Sequence, residues 1–253
     1  MGTNLREIVD WADTYLRVHE IEDYPEATNG LQVENRTPIE RVAAATDVSL
    51  ATIEATARAE CQLLLVHHGL FWESTTPVVG RAFRRLSALL DADIALYSAH
   101  LPLDIHPEVG NNILLLKALG LELDGRFGSI NGVEGIGVWA SPELYRDEVL
   151  ERVERACGGR PFLIPGGSDQ VRKVGIVTGG AGKMIDQAAA AGIDTLITGE
   201  GSHHTYHVAM ELGLNVIYAG HYATETFGVK GLARKLDERF RLDWEFLDAP
   251  TGL

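Results

Sequence analysis

The sequence predicts an α/β protein made of two similar three-layer halves, and three observations support this prediction. Short apolar segments bounded by turn residues alternate with amphipathic helical patterns. The order strand, helix, strand occurs twice, with matching residues at matching positions. Of the 253 residues, 45% are hydrophobic and 23% are charged, which is typical of a globular protein long enough for two small cores.

The first half begins with a helix and continues as a βαβ unit. Apolar residues at helical spacing predict the helix Leu5–Leu16, with Asn4 as its N-cap. Residues 42–46 and 63–66 are apolar and are interpreted as buried strands, and residues 49–60 between them have a helical pattern. A unit of this kind predicts a parallel sheet.

The same alternation continues to the end of the chain. The glycine-rich segment 125–137 is interpreted as a loop, and Ser141 is predicted to cap the helix that follows it. The remaining elements are predicted at residues 80–90 (helix), 94–97 (strand), 111–119 (helix), 141–156 (helix), 174–177 (strand), 183–191 (helix), 195–198 (strand) and 216–219 (strand).

An internal repeat relates the two halves. Several pairs are 132 residues apart: Thr46 and Thr178, Leu64 and Leu196, His67 and Gly199, His68 and Glu200. Two further pairs are 121 residues apart: His100 with His221, and Asp104 with Glu225. A loop-length difference of 11 residues explains the change, and surface loops tolerate it. We therefore predict a first half at residues 1–127 and a second at residues 128–253.

Composition narrows the classes of function. The formal net charge of −14, with no cluster of basic residues, argues against nucleic acid as a ligand. Apolar runs are too short for a membrane span, and residues 1–6 lack a signal-peptide core, so we expect a cytoplasmic protein without a membrane partner. With only two cysteines, a disulfide framework is not expected.

Four histidines follow predicted strands directly: His67, His68, His100 and His221. Open α/β sheets bind their ligands at the carboxyl ends of strands, so these side chains are candidates for one site. Asp104 and Glu225 each follow a histidine by four residues, and carboxylates so placed can bridge two cations. Imidazole with carboxylate suits Zn, Fe, Mn or Co.

Two features leave alternatives open. His67 and His68 are adjacent, so they would point to opposite sides of a strand unless the chain turns at Gly69. Glu200 and His203, in the segment Gly-Glu-Gly-Ser-His-His, could orient a ligand or move protons, or could simply face solvent.

Four ordered motifs resemble those of the Nif-three-like dinuclear metal-centre proteins of the short, YbgI-like type. They are His67-His68-Gly69, Ala99-His100-Leu101-Pro102-Leu103-Asp104, Thr198-Gly199-Glu200 and Gly220-His221-Tyr222-Ala223-Thr224-Glu225. The resemblance implies two metal ions per subunit held by His67, His68, Asp104, His221 and Glu225, with His100 close by. It also implies a toroidal homohexamer built as a trimer of dimers.

Three hypotheses for the function remain open. Members of the family are often labelled GTP cyclohydrolase I type 2 homologs, which favours a metal-dependent hydrolase of a nucleotide or related small molecule. In that case His100, Glu200 or His203 would serve as catalytic or supporting groups. The alternatives are a non-catalytic metal carrier, for iron or another ion, and a ring-shaped scaffold. A triphosphate would also need fixed cations, and the candidates are Arg81, Arg84, Arg85, Lys183 and Lys230.

Overall fold

Residue contacts divide the chain into two units. The computed structural model describes residues 2–72 and 77–252. The first unit comprises Met1–Leu103 with Gly228–Ala249, and the second comprises Asp104–Phe227 with Pro250–Leu253. This division differs from the one predicted from the repeat, because a strand near the C-terminus pairs with the sheet of the first unit. The boundary at residue 127 stays a prediction.

The first unit contains a five-stranded sheet in the order β1-β4-β3-β2-β13. β1 is antiparallel to β4, and the other neighbours are parallel. Its elements are α1 (Leu5–Leu16), β1 (Gly30–Val33), β2 (Arg41–Asp47), α2 (Leu50–Arg58), β3 (Leu63–His68), α3 (Gly80–Asp91), β4 (Ala95–Ser98), most of α10 (Thr226–Phe240) and β13 (Asp243–Phe246). The short helix α4 (Leu101–Asp104) follows β4.

Helices pack on both faces of this sheet. On one face, Ile53 of α2 and Leu89 of α3 join Leu64 of β3 in a buried core. On the other face, the buried Tyr97 of β4 donates a hydrogen bond from its hydroxyl to Asp13 Oδ1 of α1, at 2.8 Å. The strands are apolar on both sides, as expected for a parallel sheet between two helical layers.

The second unit contains a six-stranded sheet in the order β5-β6-β10-β11-β12-β8. Its elements are α5 (Asn111–Ala118), β5 (Gly125–Ile130), β6 (Val133–Ala140), β7 (Leu144–Tyr145), α6 (Arg146–Cys157), β8 (Phe162–Pro165), β9 (Gln170–Val171), β10 (Val174–Ile176), the 3-10 turn Gly182–Met184, α7 (Ile185–Ala190), β11 (Thr195–Thr198), α8 (Thr205–Leu212), β12 (Asn215–Tyr218) and α9 (His221–Thr224). One core lies between the sheet and α5 and α6, and another lies between the sheet and α7 and α8.

The two sheets share a four-stranded arrangement, which agrees with the predicted fold class. In each sheet, three parallel strands are followed by an antiparallel edge strand: β2-β3-β4-β1 in the first unit and β10-β11-β12-β8 in the second. In both sheets, the candidate site residues lie at or just after the carboxyl ends of the parallel strands. Among the described residues, no helix is long and apolar enough to cross a membrane.

Two elements differ from the sequence-based expectation. The glycine-rich segment 125–137 is not a loop but most of the hairpin β5–β6, whose turn residues Asn131 and Gly132 both have positive φ. Its glycines make room for aromatic packing, since a Cβ at Gly137 would contact the ring of Phe127. The helix predicted from Ser141 begins only at Arg146, because β7 pairs with β9 just before it.

Candidate metal centre

Three histidines gather in the first unit. Ligand nitrogens of His67, His68 and His100 all lie within 4.8 Å of one another. His67 is fully buried and His100 is 8% exposed. His67 and His68 both lie at the end of β3, yet their ring centroids are only 4.7 Å apart. A turn at Gly69 is therefore not needed, because side chains at a strand end can lean along the strand direction.

Each of these histidines has its Nδ1 at an oxygen acceptor. His67 Nδ1 lies 2.9 Å from the Ala99 carbonyl oxygen. His68 Nδ1 lies 2.8 Å from Asp47 Oδ1, at the end of the adjacent strand β2. His100 Nδ1 lies 2.8 Å from Asp23 Oδ1. An acceptor at Nδ1 fixes the ring orientation and favours a lone pair on Nε2, which is the arrangement that metal-binding histidines use.

The carboxylate of Asp23 interacts with His100 and with two neighbouring groups. Burial alone would raise the pKa of Asp23, but the hydrogen bond and charge of His100, together with the hydrogen bonds from Asn29 and the Tyr24 backbone, outweigh burial and lower the pKa below its usual value. Its other carboxylate oxygen accepts hydrogen bonds from Asn29 Nδ2 and from the Leu101 backbone. The carboxylate therefore holds both His100 and the start of α4.

An aromatic side chain packs against two of the three histidines. The Trp72 ring lies 4.6 Å from the His100 ring and 5.7 Å from the His68 ring, nearly perpendicular to both. Phe71 and Trp72 follow the His67-His68-Gly69 motif closely in the sequence. Trp72 lines the histidine cluster, whereas Phe71 is 39% exposed.

In the second unit, His221 lies between two carboxylates. Its Nδ1 is 2.9 Å from Glu200 Oε1, and its Nε2 is 3.1 Å from Glu225 Oε2. The hydrogen bond with Glu225 raises the pKa of His221 to about 9, against the opposing effect of burial, and Glu200 adds to the increase. A metal ion at Nε2 would have to replace this proton, as ligand imidazoles must be neutral.

Glycine and threonine backbone contacts shape the surroundings of Glu225. Gly179 has φ +69°, and a Cβ there would contact Glu225 Oε1. The backbone N–H of Gly179 donates to Thr224 Oγ1, which in turn donates to the His221 carbonyl oxygen. The chain at Gly179 therefore lies in close contact with the Glu225 carboxylate.

Asp104 is the remaining predicted ligand. It is buried at the end of α4, and its Oδ1 accepts a 2.8 Å hydrogen bond from Asn111 Nδ2. Asn112, the next residue, accepts from the Thr178 backbone N–H and donates to the Ile136 carbonyl oxygen. The two asparagines at the start of α5 therefore anchor both Asp104 and the turn beside Glu225.

Some of the site residues predicted from the sequence lie close together in the structure, and others do not. His67, His68 and His100 gather in the first unit, and His221, Glu225 and Glu200 gather in the second. His203 is exposed in the turn before α8, where its ring lies 6.2 Å from that of His207 and belongs to neither cluster.

Sequence reasoning missed Asp23 and Asp47. Asp47 had a signal, because it ends the strand next to the one that carries His68. Asp23 had none, because it lies in an irregular segment far from His100 in the sequence.

The candidate phosphate-binding cations differ in their surroundings. Arg81 and Arg84 are exposed on α3, as a solvated helix face would be. Lys230 Nζ lies 4.0 Å from the centroid of the Phe246 ring. Arg85 is half-buried, and burial, with the nearby charge of Arg81, lowers its pKa, while Asp47 acts in the opposite direction. Its Nε is buried and has no hydrogen-bond partner among the described residues.

Comparison with known proteins decides the family. The family model Duf34/NIF3 (NGG1p interacting factor 3) matches residues 3–251. The chain belongs to the DUF34/NIF3 family. A relative from Deinococcus radiodurans named "GTP cyclohydrolase 1 type 2 homolog" is 42% identical over 249 residues, which cover 98% of this chain and 94% of that protein.

Solved structures of the DUF34/NIF3 family agree with the fold. The crystal structure of TTHA1606 from Thermus thermophilus has a TM-score of 0.90 at 42% identity, covering 98% of this chain and 99% of the other. The structure of protein ybgI, described as of unknown function, has a TM-score of 0.91 at 36% identity and covers both chains completely. The resemblance to the YbgI-like type is therefore confirmed.

Proposed function

We propose that this DUF34/NIF3 protein binds two divalent metal ions through His67, His68, Asp104, His221 and Glu225, and hydrolyses a nucleotide or related small molecule. The observation that carries the proposal is the set of oxygen acceptors at Nδ1 of His67, His68, His100 and His221. Histidines held in this way by carboxylates and carbonyls are typical of metal ligands.

The donor set fits such a pair of ions. Imidazole nitrogens with carboxylate oxygens suit Zn, Fe, Mn or Co better than Ca or Mg, which favour oxygen ligands alone. The turn at Gly179 lets the backbone approach Glu225 where a side chain could not fit. Two bound cations would supply Lewis-acid activation of water and of the bond to be broken.

The chain's own residues would complete the site. Asp47, Asp23 and Glu200 orient His68, His100 and His221 through Nδ1. Glu200 is half-exposed, so it can also exchange a proton with solvent or with a bound substrate. The Trp72 ring limits the access of water to His68 and His100.

The relatives' name supports a nucleotide substrate but does not establish one for this chain. A metal carrier is the second candidate, and the partial exposure of His68 and His221 favours it, because exposed ligands allow exchange. The experiment is reconstitution with each of the four metals, followed by assays with GTP and a panel of phosphoesters. Turnover that disappears in His67→Ala supports the hydrolase. Exchangeable metal without turnover supports the carrier.

A further inference from the structure

An aromatic pocket of about 380 Å³ lies in the second unit, on the loop that carries Glu200. Its lining residues come from β8, from β12, from the segment between β11 and α8, and from the first turn of α8. They are Phe162, Ile164, Gly201, Ser202, His203, Thr205, Tyr206 and Tyr218. The volume is within the range of small-molecule sites. Gly201 follows Glu200 directly. Tyr218 is the last residue of β12 and lies three residues before His221.

Two stacked aromatic side chains, Phe162 and Tyr218, form the floor of the pocket. Phe162 and Tyr218 are direct partners in the antiparallel ladder of β8 and β12. Their rings stack with centroids 6.2 Å apart and an interplanar angle of 12°. The Tyr218 hydroxyl is hydrogen-bonded to Thr205 Oγ1, which bonds the Ser202 carbonyl oxygen at 2.5 Å. The pair is therefore held in place by strand register and by the loop.

Gly201 lets the loop pass directly over this floor. A Cβ at Gly201 would collide with the Tyr218 hydroxyl. The pocket wall thus depends on a close approach between the loop backbone and the tyrosine, which any side chain at Gly201 would disturb.

The chemistry of the lining identifies the class of ligand. Phe162 is 59% exposed and Tyr206 is 43% exposed, so two flat apolar faces are open to an occupant. Among the described lining residues there is no Lys, Arg, Asp or Glu, so the pocket has no fixed charge for a phosphate or an ammonium group. Ser202 and His203 offer hydrogen-bonding groups to a ring edge. These features suit an uncharged, planar heteroaromatic ring.

We propose that this pocket binds the nucleobase-like ring of the substrate by stacking on Phe162 and Tyr206. The proposal names the substrate class of the hydrolase and rests on that proposed function for the reaction that follows binding. Ring binding itself needs no metal, because no predicted metal ligand lines the pocket. A ligand held there lies on the same loop and strand that position Glu200 and His221.

Titration calorimetry of the full chain with guanosine and adenosine tests the proposal, with metal-free and with metal-loaded protein. Each stacked ring contributes strongly to base binding, so Phe162→Ala and Tyr206→Ala should each weaken nucleoside binding roughly tenfold. Tyr145→Ala removes a similarly exposed aromatic ring outside the pocket and should leave affinity unchanged. Thermal melting of each variant checks that the fold is retained.

Absence of nucleoside binding by the unmodified protein would overturn the proposal, as would unchanged affinity in both pocket variants. A Phe162→Ala variant that changes the sedimenting mass while nucleoside binding stays intact would identify the pocket as a contact between copies and also overturn it. The two proposals fail separately. Nucleoside binding without metal-dependent turnover refutes only the hydrolase, whereas turnover without sensitivity to Phe162 or Tyr206 refutes only the ring site.

Discussion

The candidate histidines His67, His68, His100 and His221 each have an oxygen acceptor at Nδ1. Three of the four acceptors are carboxylates, and each comes from a segment distant in sequence from its histidine. Histidine positions could be predicted because they follow apolar strands. Their partners could not all be predicted, because an irregular segment such as the one carrying Asp23 has no periodic pattern.

Asp47→Asn tests the role of these partners. The substitution keeps the shape of the side chain but removes the charge that orients His68, so metal affinity should fall about 10- to 100-fold. Competition with a fluorescent chelator measures the change. Asp91→Asn, at an exposed aspartate at the end of α3, is the matched control and should retain affinity. Equal affinity in both variants would remove Asp47 from the site.

Arg85→Met tests whether the substrate carries phosphate. Arg85 is half-buried near Asp47 and keeps a buried Nε donor without a partner among the described residues. A charge-assisted hydrogen bond to phosphate contributes about 1.5–3 kcal/mol. The KM for a triphosphate should therefore rise at least about tenfold, with kcat and metal content little changed. Arg84→Met, on the exposed face of α3, is the control, and identical kinetics in both variants would argue against a triphosphate.

At the scale of elements, strand ends and glycine turns position the candidate ligands. The strands that could be predicted were those with continuous apolar runs, such as β3 and β11. The hairpin β5–β6 could not, since its glycines resemble a loop until the Phe127 ring fills the space they leave. The start of α6 depends on a two-residue pairing of β7 with β9, which local sequence does not encode.

Gly179→Ala tests the turn that lies against Glu225. The substitution forces an alanine into φ +69°, which costs about 1–2 kcal/mol of folding free energy, and places a methyl group against Glu225 Oε1. Gly192→Ala is the matched control, because Gly192 has φ +72° but no atom within 4 Å of the added Cβ. Urea unfolding should show a loss in both variants and a larger one in Gly179→Ala, which alone should lose metal. Full metal retention in Gly179→Ala would mean that the turn does not position Glu225.

At the scale of the whole molecule, an internal repeat supplies two similar sheets whose corresponding strand ends bear different side chains. His67 and His68 stand where the second unit has Gly199 and Glu200, whereas His100 and Asp104 correspond to His221 and Glu225. The repeat could be predicted from residue offsets alone. Addition of the C-terminal strand β13 to the first sheet could not, because it depends on long-range pairing. The toroidal homohexamer stays a prediction, which sedimentation measurements test.

Metal removal should weaken the whole fold. A metal that binds only the folded chain stabilises it by about 2.7 kcal/mol when free metal is 100-fold above Kd. For a chain of this length, that corresponds to a decrease in Tm of roughly 5–10 °C on treatment with a chelator. Differential scanning calorimetry measures the change, and Glu225→Ala provides the control, since its Tm should not respond to the chelator. A chelator-insensitive Tm in the unmodified protein would contradict tight metal binding.

Elemental analysis of reconstituted protein tests the central claim most directly. The account predicts two metal ions per chain in the unmodified protein and a substantial loss in both Asp104→Ala and Glu225→Ala, with the fold retained by circular dichroism. Absence of bound metal after reconstitution with Zn, Fe, Mn and Co, or full retention of two ions in both variants, would contradict it.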